Sequence, residues 1–408
     1  MIKISRLAKR SSLLVWLVLT IFTIAIIVLT TELQHRSSSY QPPSIDAPTP
    51  ALVYPPATVA PTRIRKNVVK LTAAEKTAFV NAIDTLKTTI AEGSQLSIYD
   101  QLVLQHIMTM GFRKRLGATG PAQGNPAHGQ PAFLPWHRQF LDEFERELQN
   151  IDPTVTIPYW DWTDTDALNV ILQEDFLGTN GTGETIEIPQ KGSYTGGVVT
   201  SSVFANWTLN ENIHFDPVTM TSLGSNLIRF VQLPPCDTYP IPQSAIDELF
   251  RFDHYEIFNA LIEGAMVLNS NQQFVLGWAL HAYAHSVIGG SLVDPENPLH
   301  QTKILGTMDS IPSSPYDPIF WLNHANVDRL WAEWQDQGHT GETFYPADGM
   351  PFGHNLHDPM WPWDGGLSMP GQYGLGDLRS LLPATDSVVT PADVLNYRQL
   401  GYTYDTTN

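Results

Sequence analysis

In "HGQPAFLPWHRQFL", residues 128 to 141, two histidines stand nine positions apart, the second directly behind Trp136 in a run that otherwise reads as core. "LGWALHAYAHSVIGG" adds His281 and His285 at i and i+4, on one side of a helix. Thirteen histidines in 408 residues give about 0.4 such pairs by chance, so that spacing is weak alone. Its weight comes from two more positions. His106 lies among Tyr99, Leu102, Val103 and Met110, and His324 shares a stripe with Phe320, Val327 and Trp331. A single imidazole on an apolar face is ordinarily a core histidine satisfied by a carbonyl. Four separate helical segments that each carry one are harder to explain, because every buried, unpaired imidazole has its own desolvation cost. A shared metal site relieves all of those costs together.

Imidazole suits copper, zinc, iron and nickel, and the chain narrows that choice. Past the leader and linker, only Glu211 and His214 have Glu-x-x-His spacing, whereas a di-iron carboxylate bundle repeats the motif. H-E-x-x-H is absent, which excludes a zincin-like protease. The lone Cys236 excludes an internal disulfide and any Cys-rich zinc or iron–sulfur site. Six neutral nitrogen donors with no acidic ligand beside them favour a redox pair of copper ions. The 23 basic and 41 acidic residues leave a net charge of −18, which argues against a nucleic-acid partner.

The elements that position these side chains begin after a distinct leader. Lys3, Arg6, Lys9 and Arg10 precede an uncharged, Leu/Ile/Val-rich stretch over 11–31, about the ~20 residues that cross a hydrocarbon core. It predicts an N-terminal transmembrane helix, with the basic flank cytoplasmic and the bulk of the chain outside; the alternative is secretion after cleavage of a signal peptide. Residues 32–64, rich in Pro, Ser and Thr, read as a linker. Thr72 and Glu75 form a capping-box pattern for a helix with Phe79, Ile83, Leu86 and Ile90 on one face. Ser97 with Asp100 opens a second helix, and Pro135 a third, with Asp142, Glu143, Arg146 and Glu147 pointing away from its core side. Residues 163–240 read as loops and small strands, 272–287 and 318–335 as helices, and 336–408 as mostly irregular. The fold class is therefore mainly α: a helix-bundle core under long loops and a few short strands.

Together, "HGQPAFLPWHRQFLDEFERELQ", "LHAYAHSVIGG" and "DPIFWLNHANVDRLWAEWQ" resemble the type 3 copper proteins, the tyrosinases and catechol oxidases. "RIRKNV" and "GYTY", with Tyr402 and Tyr404, resemble the start and end markers of that family's domain. The resemblance implies an antiparallel bundle around a dicopper centre over 65–408, without a C-terminal shielding domain. It assigns His106, His128 and His137 to one copper and His281, His285 and His324 to the other. It also implies a small phenolic substrate and O2 as reaction partners. Phe133, Trp136 and Phe320 would pack near the ligand rings. Asp328, one turn beyond His324, would steady that ring or join Arg329 in an ion pair. Ala282 and Ser286 would leave the pocket floor open.

Departures from the family pattern bear on activity. Hydroxylating relatives often carry an Asn after the first ligand of the second copper and a Glu upstream, which together hold a basic water. Here Ala282 and the Gln272–Gln273 region take those places. Asn323 stands where many relatives have another His, and Pro126 precludes a Cys thioether to His128. The expectation is oxidation of o-diphenols, or o-aminophenols, to quinones with weak monophenol hydroxylation. A full tyrosinase and a reversible O2 carrier are the rivals. His354 and His357, together with His35, His214, His254, His300 and His339, are read as structural or surface residues.

Overall fold

The computed structural model describes residues 63–110, 125–264, 267–268, 274–275, 279–367, 381–382 and 387–407, all of them in the unit Val59–Asn408. Six helices carry the architecture: α1 (Ala73–Thr88), α2 (Ile98–Thr109), α3 (Phe133–Ile151), α4 (Tyr255–Glu263), α5 (Leu280–Gly289) and α6 (Ile319–Asp336). In the core, α3 packs on α1, α4 and α6, while α5 packs on α4 and α6. Strands are short and peripheral. β1 (Arg63–Arg65) runs parallel to β7 (Tyr402–Tyr404), and β2 (Thr182–Ile188), β3 (Gly192–Val198) and β4 (Ile228–Arg229) form an antiparallel sheet. β5 (Ser291–Asp294) and β6 (Asn297–Ile304) make an irregular antiparallel pair.

The helix starts follow local chemistry. Thr72 and Glu75 close a complete capping box on α1, worth about 1 kcal/mol, and the Ser97 hydroxyl accepts from the Asp100 N–H at α2. The apolar face of α1 buries Phe79, Ile83 and Leu86, but the helix stops at Thr88 and leaves Ile90 exposed. α3 begins at Phe133, two residues before Pro135; a proline in the first turn forfeits only an N–H that has no helical partner anyway. The helix expected from 272 begins at Leu280, because Phe274–Val275 pairs with Val267–Leu268 as a small hairpin. Trp321 of α6 stacks on Phe144 of α3 with centroids 3.7 Å apart, the kind of aromatic pair that adds about 0.5–1.5 kcal/mol beyond burial.

An ionic network fixes α3 against α6. Asp328 accepts from Arg138 Nε at 2.5 Å, Arg65 Nη1 at 3.2 Å, and the hydroxyls of Tyr402 and Tyr404 at 2.6 Å each. Arg65 also reaches Glu145 at 2.9 Å, and Arg63 reaches Glu145 and Asp142, each at 2.9 Å. Burial would raise the Asp328 carboxyl, but Arg138 and Arg65 outweigh it and hold the group below its ordinary range. Two expectations change here. Asp142 does not point into solvent but is buried against Arg63 and Arg146. Arg63 and Ile64, placed in the linker from sequence, are strand residues, because Arg63 supplies charges that α3 requires. Among the described residues no helix is long and apolar enough to cross a membrane; the anchor expected at 11–31 lies outside them.

Candidate metal centre

Each helix delivers its histidine inward for the reason its neighbours are apolar: the stripe that faces the core also carries the imidazole. α2 brings His106 and α3 brings His137, with exposures of 0% and 2%. α5 brings His281 and His285, and α6 brings His324, all within 3%. His128 sits on the segment before α3 and is half-buried. The structure gathers the six into two groups, His106/His128/His137 and His281/His285/His324, with candidate ligand atoms within 4.8 Å of one another in each group. The groups abut, because His137 and His324 stack at 4.2 Å and 12°. Phe133 lies 4.7 Å from His137 and 5.0 Å from His281, and Phe320 lies 4.2 Å from His324 and 5.3 Å from His106. Trp136 packs 4.9 Å from His137 and donates its indole N–H to the Trp361 carbonyl.

Hydrogen bonding sets which nitrogen each ring presents. Nδ1 of His106, His137, His281 and His285 lies 2.7–3.0 Å from the carbonyls of Pro312, Phe133, Glu263 and Met308 respectively. A carbonyl only accepts, so each Nδ1 carries the proton and each Nε2 keeps a lone pair. Nε2 of His106 and of His137 is buried with no hydrogen-bond partner. Nε2 of His281 lies 2.9 Å from that of His285 and 3.1 Å from that of His324. The His281–His285 approach joins two acceptors and is no hydrogen bond; both lone pairs aim at one point. Protonation does not resolve the conflict, because burial lowers every one of these imidazoles, His106 to about 3 and His285 to about 4. Two nitrogens bound at roughly 2.0–2.1 Å to one cation stand roughly 3 Å apart. The donor set therefore fits a metal in each group, and six neutral imidazoles suit copper.

The loop bearing His128 is held by side chains that the sequence reading missed. Asn125 Oδ1 accepts from the N–H groups of Ala127 and His128. From α4, Tyr255 donates to Pro131 O at 2.6 Å and Asn259 to Gln130 O at 3.1 Å, while the Glu263 carboxylate accepts from Gly129 N at 2.7 Å. His354 Nδ1 accepts from Ala132 N and belongs to neither histidine group. Tyr255, Asn259 and Glu263 are spaced i, i+4, i+8, a polar stripe along one face of the helix; that spacing was the available signal. Burial pushes the Glu263 carboxyl up to about 8. Glu263 is the acidic residue beside the centre, and Gln272–Gln273, expected in that place, lie outside the described residues.

Other expected site residues take different roles. Asp328 does not touch His324, since its oxygens are taken by two arginines and two tyrosines. Arg329, its other expected partner, bonds Glu333 instead. Ser286 donates to Asp309 at 2.7 Å. Ala282 packs against Gly264, where a Cβ would come within 2.8 Å of the alanine methyl. The Asn323 amide oxygen accepts from the Trp162 indole.

Comparison with known proteins agrees with this geometry. A family model described as the common central domain of tyrosinase matches residues 96–337, a span that opens just before α2 and closes just after α6. The tyrosinase of Streptomyces glaucescens is 33% identical over 307 residues, covering 74% of this chain and 92% of the relative. Grixazone synthase of Streptomyces griseus is 30% identical over 371 residues, covering 84% of this chain and 99% of the relative. The solved structure of a polyphenol oxidase mutant from Thermothelomyces thermophila is similar in fold, with TM-score 0.52 at 21% identity over 84% of this chain and 88% of that one. Two facing histidine groups on the helices that this match spans leave one assignment: the chain belongs to the tyrosinase family and is a type 3 copper oxidase.

Proposed function

We propose that His106, His128 and His137 hold one copper ion and His281, His285 and His324 the other, in an oxidase that converts o-diphenols to o-quinones, or o-aminophenols to o-quinone imines, with little monophenol hydroxylation. When bound, the copper pair supplies the one-electron steps that couple the phenolic substrate to O2. The convergence of the His281 and His285 lone pairs, with His324 Nε2 3.1 Å from that of His281, carries the metal assignment. The chain's own contribution is to orient the rings. Carbonyls fix four imidazoles, and Phe133 and Phe320 exclude water from the space between the groups. Half-buried His128 marks the side from which a substrate ring can approach.

Glu263 without an Asn side chain at position 282 supports the limited hydroxylase reading. Its carboxylate is occupied by Gly129 N, and position 282 beside it offers only a methyl. The same glutamate is what favours a full tyrosinase as the second reading. Oxygen uptake by the copper-loaded protein with catechol, o-aminophenol and tyrosine decides between them. Rapid uptake with the first two and slow uptake with tyrosine is expected, and fast tyrosine hydroxylation overturns the proposal. Reversible oxygenation without quinone would identify a carrier instead. Residues 11–31 are proposed as a single-pass anchor holding the 65–408 domain outside the cytoplasm, on the strength of their uncharged length and basic flank. Carbonate extraction of membranes tests this, and a mature N-terminus beyond residue 31 points to secretion.

A further inference from the structure

His214, which reads as a surface or structural residue from sequence, is fully buried. Its Nδ1 donates to Gly224 O at 2.7 Å, which leaves Nε2 to accept the Thr307 hydroxyl at 3.0 Å. Thr307 Oγ1 in turn accepts from Ile228 N at 3.0 Å. One hydroxyl thus pins three separate stretches of chain.

Thr307 opens a pair of 3-10 turns, Thr307–Asp309 and Ile311–Tyr316. Met308 of the first orients His285 at 2.7 Å, and Pro312 of the second orients His106 at 2.9 Å, each through its carbonyl. These rings belong to different histidine groups, yet their acceptors stand on one strap four residues apart. The strap is fastened elsewhere too: Ser310 donates to Phe215 O at 2.7 Å. It also lies backbone-on-backbone against α5, where a Cβ on Gly289 would come within 2.2 Å of Asp309 N.

We propose that the Thr307–Pro312 strap is a shared template orienting one ligand in each copper group, with His214 and Thr307 as the positioning residues that keep it in register. The proposal rests on the dicopper reading and deepens it. A shift of the strap turns His106 and His285 together and leaves His137 and His281, whose acceptors are Phe133 and Glu263, in place.

The test uses the full chain loaded with diamagnetic Cu(I), 15N-labelled at histidine, with the ring Nδ1–H resonances as readout. Thr307→Val keeps volume but removes the hydroxyl. It is expected to shift the His106 and His285 resonances while those of His137 and His281 stay, and to lower kcat roughly tenfold. Thr307→Ser restores both resonances. A shift at His285 alone, at all four rings or at none overturns the template. Should Thr307→Val fail to fold, Ser310→Ala loosens the other fastening and is judged by the same paired pattern. Fewer than two coppers in the wild type overturns the dicopper reading instead, and the resonances of the metal-free chain then judge the strap.

Discussion

The two histidine groups are built by different means. His281, His285 and His324 all stand on helices, and the first two share one face of α5 by helical spacing alone. In the other group, His106 and His137 are helical, but His128 stands on a loop with positive φ at the next residue, Gly129. A helix places its ligands through its own hydrogen-bond ladder. A loop has to be fixed group by group, and here Asn125, Tyr255, Asn259, Glu263 and His354 do so. The backbone that carries one half of the centre is thus set by secondary structure, while the loop in the other half is held by tertiary contacts, three of them from α4.

The comparison is broken most directly by deleting a ligand on either side. His137→Ala and His285→Ala are each expected to lower activity at least about a thousandfold, with copper content falling from two ions to one. Retention of two coppers by either variant would exclude that histidine from the centre. Next is the network common to both halves. Asp328→Asn is expected to cost about 3–5 kcal/mol in chemical denaturation, because it leaves Arg138 buried without an anion and Arg65 with Glu145 alone. The sign of the pH effect follows from the depressed carboxyl. Its stabilisation is fully present above the unfolded value of about 3.9 and is lost as pH falls through the lower folded value. Wild-type stability should therefore fall more steeply in acid than that of Asp328→Asn, and parallel curves would refute the point.

Smaller still, Tyr255→Phe removes one fastening of the His128 loop. It should weaken copper retention in the His106/His128/His137 group by roughly tenfold against a chelator, about 1.4 kcal/mol, and leave the helical group unchanged. Earlier loss from the helical group would invert the comparison. Thr72→Ala, remote from both groups, should cost about 1 kcal/mol of global stability and alter the copper release of neither.

Local signals in the chain located α1, α2, α3 and α6 and the stripes that carry His106, His137, His281, His285 and His324, because caps and the 3.6-residue period act within a few turns; His128, on a loop, joined the set only through the family resemblance. What escaped notice depends on distant partners. His214 reads as a surface residue until Gly224 and Thr307 enclose it, and Asp142 reads as solvent-facing until Arg63 arrives from β1. The sequence places the base region at Gln272–Gln273, nearer His281 than Glu263, because the small hairpin pairing 267–268 with 274–275 lengthens the connection between α4 and α5. Asp328 reads from sequence as a partner of His324 or Arg329 within α6, whereas its cations come from α3 and β1.

The pairing of Arg63–Arg65 with Tyr402–Tyr404 has a consequence for biogenesis. Arg65 and the Tyr404 hydroxyl meet across 339 positions, and both bond the same Asp328 oxygen. A nascent chain that has already made every histidine cannot close this strand pair, or bring the two tyrosine hydroxyls to Asp328, until Tyr402–Tyr404 have left the ribosome.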